Sequence, residues 1–196
     1  MSFGWVPPVA DEREGLLAFL TQQRTAVQAA CFGLDDAQAG SAPSVSALSL
    51  AGLVTHLTAV ERGWVDRLTD APPAAVTEQE YHDDFALAPG QTLADALAAY
   101  ERVAERTEQV VRGIADLGQA VPVPRDAPWY PTDVDAWSVR WVLLHLVEET
   151  ARHAGHADIV RETVDGATCW ELLAALQGWA GNEWLQPWRP RETVSP

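Results

Sequence analysis

The residues of this sequence best suited to hold a metal ion are a glutamate and three histidines in one predicted helix. His145, Glu149, His153 and His156 follow each other within twelve positions. Because successive helix residues advance by about 100°, these four side chains project within a sector of roughly 80°. Glu149 and His153 are four residues apart and stand one turn above each other. Their carboxylate oxygen and imidazole nitrogen can therefore share one cation.

A further ligand must come from another helix, because one helix face cannot enclose a metal ion. His56 is the natural candidate, since it lies centrally in a second helical pattern with apolar neighbours on both sides. Two imidazole nitrogens and one carboxylate suit Zn²⁺, or a similar ion such as Ni²⁺, Co²⁺, Mn²⁺ or Fe²⁺. Three protein ligands leave coordination positions open, which is typical of catalytic rather than structural metal sites.

Each of these residues also has a plainer structural interpretation. A lone histidine on an apolar helix face, such as His56, is more often a hydrogen-bonded core residue. A glutamate four positions before a histidine is common as a surface ion pair. Spacing alone leaves two rival pairs open: His145 with Glu149, and His153 with His156.

Two other titratable residues are predicted not to be ligands. His82 stands beside Asp83 and Asp84 in a predicted loop, which favours a solvated surface group. Glu148 lies about 100° from Glu149 around the helix, so we expect its carboxylate to face away from the site.

Five helical patterns are predicted to position the candidate ligands, and the hydrophobic spacing supports each of them. The first begins near Asp11 and stops at Gly33, and the second begins at the cap Ser49. The third runs from the cap Thr92 to Gly118, and the fourth from the cap Ser138 to Gly166. The fifth runs from the capping box at Thr168 to Trp179. The sequence shows no strand alternation and no repeat. We therefore predict an all-α, up-down-type four-helix bundle with long connections and an additional C-terminal helix.

The predicted domain organisation is simple. Residues 1–185 are expected to form a single helical-bundle domain, and residues 186–196 a flexible C-terminal tail. Long loops at 70–91 and 118–137 are expected to shape the substrate pocket. Arg152 and Arg161 are predicted to form weak surface ion pairs with acids of their own helix.

Composition excludes several classes of function. The chain has 196 residues, of which 47% are hydrophobic, and a formal net charge of −15. Such a surface repels phosphate backbones and anionic lipids, so we expect neither a nucleic-acid nor a membrane partner. No apolar run approaches the ~20 residues of a membrane span, and the first residues do not resemble a signal peptide. A cytoplasmic protein is the expectation.

Cysteine and tryptophan are interpreted mainly as core residues. Cys31 and Cys169 are too few and too distant to form a disulfide framework, and each is expected to be a buried small side chain. Nine tryptophans are unusual for this length. Four of them lie within helical patterns and are predicted to be core: Trp64, Trp141, Trp170 and Trp179.

Two segments carry a resemblance to a known family. LSLAGLVTHLTAVERGW at 48–64 and VRWVLLHLVEETARHAGHADIVRE at 139–162 resemble the DinB-like superfamily, and more narrowly its branch related to mycothiol-dependent enzymes. The resemblance implies a four-helix bundle, often dimeric, with a metal held by three side chains. In the mycothiol-dependent maleylpyruvate isomerase branch these are His, Glu and His, which correspond to His56, Glu149 and His153.

The resemblance also implies a chemistry. Relatives bind a low-molecular-weight thiol such as mycothiol, and a metal-bound thiol loses its proton readily to give a nucleophilic thiolate. His145 or His156 would orient ligands from a second shell or move a proton. Cys31 and Cys169 need not react, because the co-substrate supplies the sulfur. We find no counterpart of the further C-terminal domain of the isomerase and therefore expect a stand-alone thiol S-transferase rather than maleylpyruvate isomerisation.

The leading expectation is thus a metal-dependent transferase that joins a mycothiol-like thiol to a small electrophile, as a homodimer. One alternative is a DinB-like protein that binds a metal or ligand without catalysis. Another is a metal-dependent hydrolase with an activated water, for which Glu148 is a poorly placed base. The sequence identifies neither the electrophile nor the metal.

Overall fold

Helices form most of the chain. The computed structural model describes residues 4–69, 84–125 and 130–190. In chain order the elements are α1 Glu12–Cys31, α2 Asp36–Gly40, α3 Leu50–Leu68, α4 Leu93–Gly113, β1 Ala120–Pro122, β2 Ala136–Ser138, α5 Val139–Asp165 and α6 Cys169–Leu176. The four long helices and the additional C-terminal helix were all predicted from the sequence.

The long helices begin where side chains satisfy their first free N–H groups. Ser49 accepts a hydrogen bond from the Gly52 amide at the start of α3, and Ser138 accepts one from Trp141 at the start of α5. Thr92 caps α4 in the same way, and Gly166, with φ of 79°, closes α5. These caps confirm the predicted boundaries, because polar side chains replace the missing helical partners.

The bundle is assembled from two main helix pairs. Helix α1 packs chiefly against α5, and α3 chiefly against α4. Helix α3 also contacts α5 along a seam between the pairs. Buried leucines, valines and alanines of all four helices fill two core clusters, one toward each end of the bundle. Because burial of apolar surface drives this packing, the α3–α5 seam has a fixed geometry and can position side chains.

Three short elements were missed and two helices were predicted too long, since α4 ends at Gly113 rather than at Gly118. β1 and β2 form an antiparallel pair in the segment expected to have no strand, with Val121 opposite Trp137. Three residues are too few to show alternation, so only tertiary pairing reveals them. Helix α2 lies in a predicted loop. Helix α6 ends at Leu176 rather than Trp179, because Gly178 adopts a φ of 65°.

Arg161 contradicts its predicted surface role. Its side chain is fully buried, donates to the carbonyls of Ala30 and Phe32, and pairs with Asp165 at 2.9 Å. The guanidinium also lies 4.9 Å from the ring centre of Trp188. The sequence could not predict this burial, because the two carbonyl groups and the tryptophan that contact Arg161 come from the end of α1 and from the C-terminal segment. Arg161 thus ties the end of α5 to the end of α1.

The C-terminal segment contacts the end of α1. Trp188 packs edge-on against Phe32, with ring centres 6.0 Å apart, while residues 191–196 lie outside the described residues. The division at residue 186 stays a prediction.

Trp141 and Trp170 are 37% and 48% exposed, so the prediction that they belong to the core is wrong. Within the described residues, no helix is long and apolar enough to span a membrane.

Candidate metal centre

The three predicted ligands meet at the α3–α5 seam. The imidazole Nε2 of His56 on α3 lies 3.4 Å from Oε1 of Glu149 on α5, and Nε2 of His153 lies 3.3 Å from the same oxygen. One donor atom from each of the three residues lies within 4.8 Å of the other two. This convergence requires both helices, because α5 alone brings only Glu149 and His153 together.

These distances are long for charge-assisted hydrogen bonds and also suit a shared cation. A charge-assisted bond from an imidazolium to a carboxylate is about 2.7–2.9 Å long. Both Nε2–Oε1 distances are longer than that. Two ligands held about 2.0–2.1 Å from a tetrahedral Zn²⁺ are separated by about 3.3 Å. The spacing of the donors in His56, Glu149 and His153 therefore suits a small divalent ion between them.

The charge of the site is set by Glu149. Hydrogen bonding to His153, followed by hydrogen bonding to His56, holds the pKa of the Glu149 carboxyl well below its usual range, although burial opposes this effect. The carboxylate is therefore ionised at neutral pH. Imidazole nitrogens and a carboxylate oxygen together are a donor set that divalent metals accept.

The site is closed on one side and open on the other. The His56 side chain is only 4% exposed, whereas those of Glu149 and His153 are 22% and 20% exposed. The two imidazoles meet edge to face, with ring centres 4.9 Å apart. His56 thus forms the floor, and a ligand reaches the cluster from the side of α5.

Phe85 forms part of this floor and was missed by sequence reasoning. Its ring stacks on His56, with centres 4.0 Å apart and an interplanar angle of 15°. Gly52, one turn before His56 on α3, makes room for the Phe85 backbone, because a Cβ atom there would lie 2.1 Å from the Phe85 carbonyl oxygen. A glycine four residues before a predicted ligand was the sequence feature that could have indicated a close backbone contact with α3 at this point. It does not identify which residue makes that contact.

The two histidines expected in a second shell are not part of the cluster. His145 stacks on Trp141, with ring centres 5.2 Å apart, and its Nδ1 lies 3.8 Å from Glu148. His156 is half-buried and contributes no donor atom to the group. Their predicted roles remain predictions. Glu148 is exposed and 3.6 Å from Arg152, in line with the expectation that it faces away from Glu149.

His82 and Asp83 lie outside the described residues, so their interpretation as solvated loop groups stays a prediction.

The protein's own thiols are poor nucleophiles. Burial raises the pKa of Cys31 to about 12. Burial, together with the neighbouring Asp158, raises the pKa of Cys169 to about 11. Since the thiolate is the reactive form, neither side chain is activated at neutral pH.

A cavity of about 500 Å³ lies elsewhere, between α1, α5, α6 and the N-terminal segment. Its walls include Trp5, Gln22, Asp158 and Trp170, but none of the three clustered ligands. The pKa of Asp158 is raised to about 6, mainly by burial and then by the nearby Glu162. Size alone does not make this cavity the reactive site, because it brings together no set of metal-binding groups.

Known proteins resemble this chain in both fold and sequence. A crystal structure of a conserved protein from Enterococcus faecalis superposes with a TM-score of 0.60 at 16% identity, covering 81% of this chain and 100% of that one. At this identity the likeness concerns the fold. No curated protein sequence matches the chain.

The sequence pattern of one family covers most of the molecule. The model of the mycothiol-S-transferase family matches residues 15–166, which extend from α1 through the whole of α5 and include all three clustered ligands. The predicted all-α, DinB-like fold is confirmed by the helical architecture and the structural neighbour. The chain therefore belongs to the mycothiol-S-transferase family.

Proposed function

We propose that this protein is a metal-dependent thiol S-transferase that joins a low-molecular-weight thiol of the mycothiol class to a small electrophile. The observation that carries the proposal is the convergence of His56, Glu149 and His153 from two helices onto one point that is open on the side of α5. Family membership supports the thiol as the first substrate.

The residues of the chain would hold the metal and keep it reactive. His56 and His153 each offer Nε2, and Glu149 offers Oε1. When bound, a divalent ion such as Zn²⁺ supplies a Lewis acid that lowers the pKa of a thiol beside it. Ni²⁺, Co²⁺, Mn²⁺ and Fe²⁺ are accepted by the same donors. The stacked ring of Phe85 would fix the plane of His56 and so keep its Nε2 directed toward Glu149.

The reaction balances without any redox partner. The thiol loses its proton to solvent or to a nearby base, and the sulfur forms a bond to the electrophilic carbon. In a substitution, the bond from that carbon to the leaving group breaks and the leaving group takes the electron pair. In a conjugate addition, the pair moves to the α-carbon, which then takes a proton. Cys31 and Cys169, with raised pKa values, take no part.

The first test is the metal content of untagged protein, compared between the wild type and His153→Ala. We expect about one equivalent of divalent metal in the wild type and none in the variant, because two remaining donors hold an ion poorly. His156→Ala is the matched control, since it removes a half-buried histidine one turn away on α5 and should retain the metal. Metal loss in both variants, or absence of metal from all three proteins after Zn²⁺ is added, would contradict the assignment.

The second test is turnover. Metal-loaded protein should consume mycothiol and an electrophile together, and Glu149→Gln should lose this activity while Glu148→Gln retains it. Metal binding without thiol-dependent turnover of any electrophile in a broad panel would favour the non-catalytic alternative. Hydrolysis of an ester or amide without added thiol would favour the hydrolase.

A cytoplasmic location and a homodimer also remain proposals. Light scattering of the purified protein would measure the oligomeric state directly.

A further inference from the structure

An aromatic stack continues the line of the candidate ligands along α5. Trp141, His145, Glu149 and His153 are each four residues apart, so they follow one another along one side of the helix. The rings of Trp137 and Trp141 are parallel to within 3°, with centres 4.3 Å apart. His145 stacks on Trp141 with an interplanar angle of 17°. Three flat rings thus lie in sequence before the metal-binding residues.

Helix α3 supports this stack from the core side. Trp64, two turns after His56, is only 7% exposed and contacts the stack edge to face, with ring centres 5.1–5.6 Å from those of its members. Tyr130 meets the edge of Trp137 at 6.0 Å. The antiparallel α3–α5 seam therefore places the aromatic group at one level and the candidate metal centre two turns further along.

The open end of the stack faces the metal centre. In the described part of the chain, His145 contacts Trp141 on one face, Trp64 at its edge and Glu148 at Nδ1. Since Trp141 lies one turn before His145, the side of the ring away from Trp141 corresponds to the next turn of α5, and Glu149 is about 6 Å further along the helix axis. Stacked aromatic rings have centres about 4.5–7 Å apart, so one more ring would lie at the level of Glu149.

We propose that the ring of His145, backed by Trp141 and Trp137, forms the binding surface for the electrophilic substrate, and that this substrate is a planar aromatic or conjugated molecule. This inference rests on the proposed thiol transfer for the identity of its ligand. A planar electrophile stacked on His145 brings its reactive carbon beside the candidate metal centre. The His145 side chain is 28% exposed, which leaves ring surface available to such a molecule.

The proposal is tested with a planar probe that does not react. 2,4-Dinitroaniline has the ring of a nitroaromatic electrophile but no good leaving group, and calorimetry measures its binding to metal-loaded protein. We expect Trp141→Leu to weaken binding by about three- to tenfold, because it removes the ring that holds His145 in its stacked orientation but keeps an apolar side chain. Trp184→Leu is the control, because Trp184 is 93% exposed and outside the stack. Circular dichroism and metal content verify that each variant is folded and loaded.

Turnover gives the second measurement. With mycothiol held constant, Trp141→Leu should raise KM for 1-chloro-2,4-dinitrobenzene while KM for the small aliphatic electrophile iodoacetamide stays unchanged. Equal probe binding by wild type and Trp141→Leu, or no binding by the wild type, would overturn the proposal. If probe binding depends on Trp141 but the protein shows no thiol-dependent turnover, the aromatic site is retained and the transferase function is rejected. Failure of the aromatic site and failure of the proposed function therefore give different results.

Discussion

Two polar clusters lie inside the same helical bundle, and they are built differently. In one, Arg24 of α1 pairs with Glu61 of α3, and Thr107 of α4 also donates to the Glu61 carboxylate. All three residues are at most 3% exposed. In the other, Glu149 faces only the imidazoles of His56 and His153 among its described contacts. The first cluster contains its own permanent cation, whereas the second does not.

The difference separates a structural cluster from a functional one. The guanidinium of Arg24 binds both oxygens of Glu61 in a fork, so a buried negative charge is neutralised within the fold. At Glu149, one carboxylate oxygen is shared by two nitrogens at distances too long for strong hydrogen bonds. Such a cluster gains most from an added cation. Removing a residue from the first cluster should thus affect stability, and removing one from the second should affect binding.

The largest effect is expected from Glu61→Gln. The change leaves the buried charge of Arg24 with only the more distant Glu108, 3.9 Å away, and breaking a buried pair typically costs about 3–5 kcal/mol of unfolding free energy. Urea denaturation measures it. The double variant Arg24→Met/Glu61→Met is the control, since removal of both charges should recover most of the loss. A loss of less than 1 kcal/mol in Glu61→Gln would show that the pair is not a main structural contact.

The second effect is stabilisation by metal. Addition of Zn²⁺ at one hundred times its dissociation constant should raise the unfolding free energy of metal-free wild type by about 2.7 kcal/mol. Glu149→Gln should show no such rise, because it lacks the anionic ligand, and its metal-free stability at neutral pH should fall, because the lowered pKa of Glu149 means that its carboxylate stabilises the folded state. Thermal melts with and without Zn²⁺ measure both quantities. An equal rise in the variant would mean that the ion binds elsewhere.

A smaller effect tests whether Phe85 positions His56 on the buried side of the candidate metal centre. Gly52→Ala places a Cβ against the Phe85 carbonyl, and because this neighbour is backbone, the segment must shift. We expect a loss of about 1–3 kcal/mol from the clash, partly offset by up to about 1 kcal/mol of helix propensity, together with weaker metal binding. Gly155→Ala on α5 is the control, as its Cβ would meet nothing within 4 Å. Unchanged metal affinity in Gly52→Ala would exclude a role for Phe85 in positioning His56.

The smallest effect concerns Asp158, whose pKa is raised to about 6 mainly by burial. A raised carboxyl pKa means that the folded state binds the proton more tightly, so this group's stabilisation is full below the unfolded pKa of about 3.9 and is lost as pH rises to about 6. Asp158→Asn should therefore raise the melting temperature at pH 7 but not at pH 3.5. Since Asp158 is only partly buried, we expect about 1 kcal/mol or less. A stabilisation independent of pH would point to packing instead.

The sequence predicted the long helices well, because the contacts that start them join residues close together in the chain. Ser49, Thr92 and Ser138 cap helices through hydrogen bonds to residues three positions away, and such contacts are encoded in short stretches. The spacing of Glu149 and His153 on α5 was likewise predictable from helix geometry. The β1–β2 pair was missed, since its short strands are defined only by their pairing.

Other features depended on contacts between distant segments. Arg161 was expected at the surface because its own helix offers acids, but its deciding partners, the carbonyls of Ala30 and Phe32, come from α1. Phe85 reaches His56 from a loop that sequence left irregular. In both cases the relevant neighbour is more than twenty residues away, so periodicity gives no signal.

The sequence by itself determined the helices, their caps and the types of residue that can hold a metal ion, because these properties depend on neighbours within about one or two turns. The resemblance in segments 48–64 and 139–162 selected which histidine and glutamate to expect. Only the tertiary structure decided that His56 meets Glu149 and His153 on the open side of a seam, and that the Trp141 stack leads to them. Those arrangements follow from how α3 and α5 pack against each other, which is a property of the whole core.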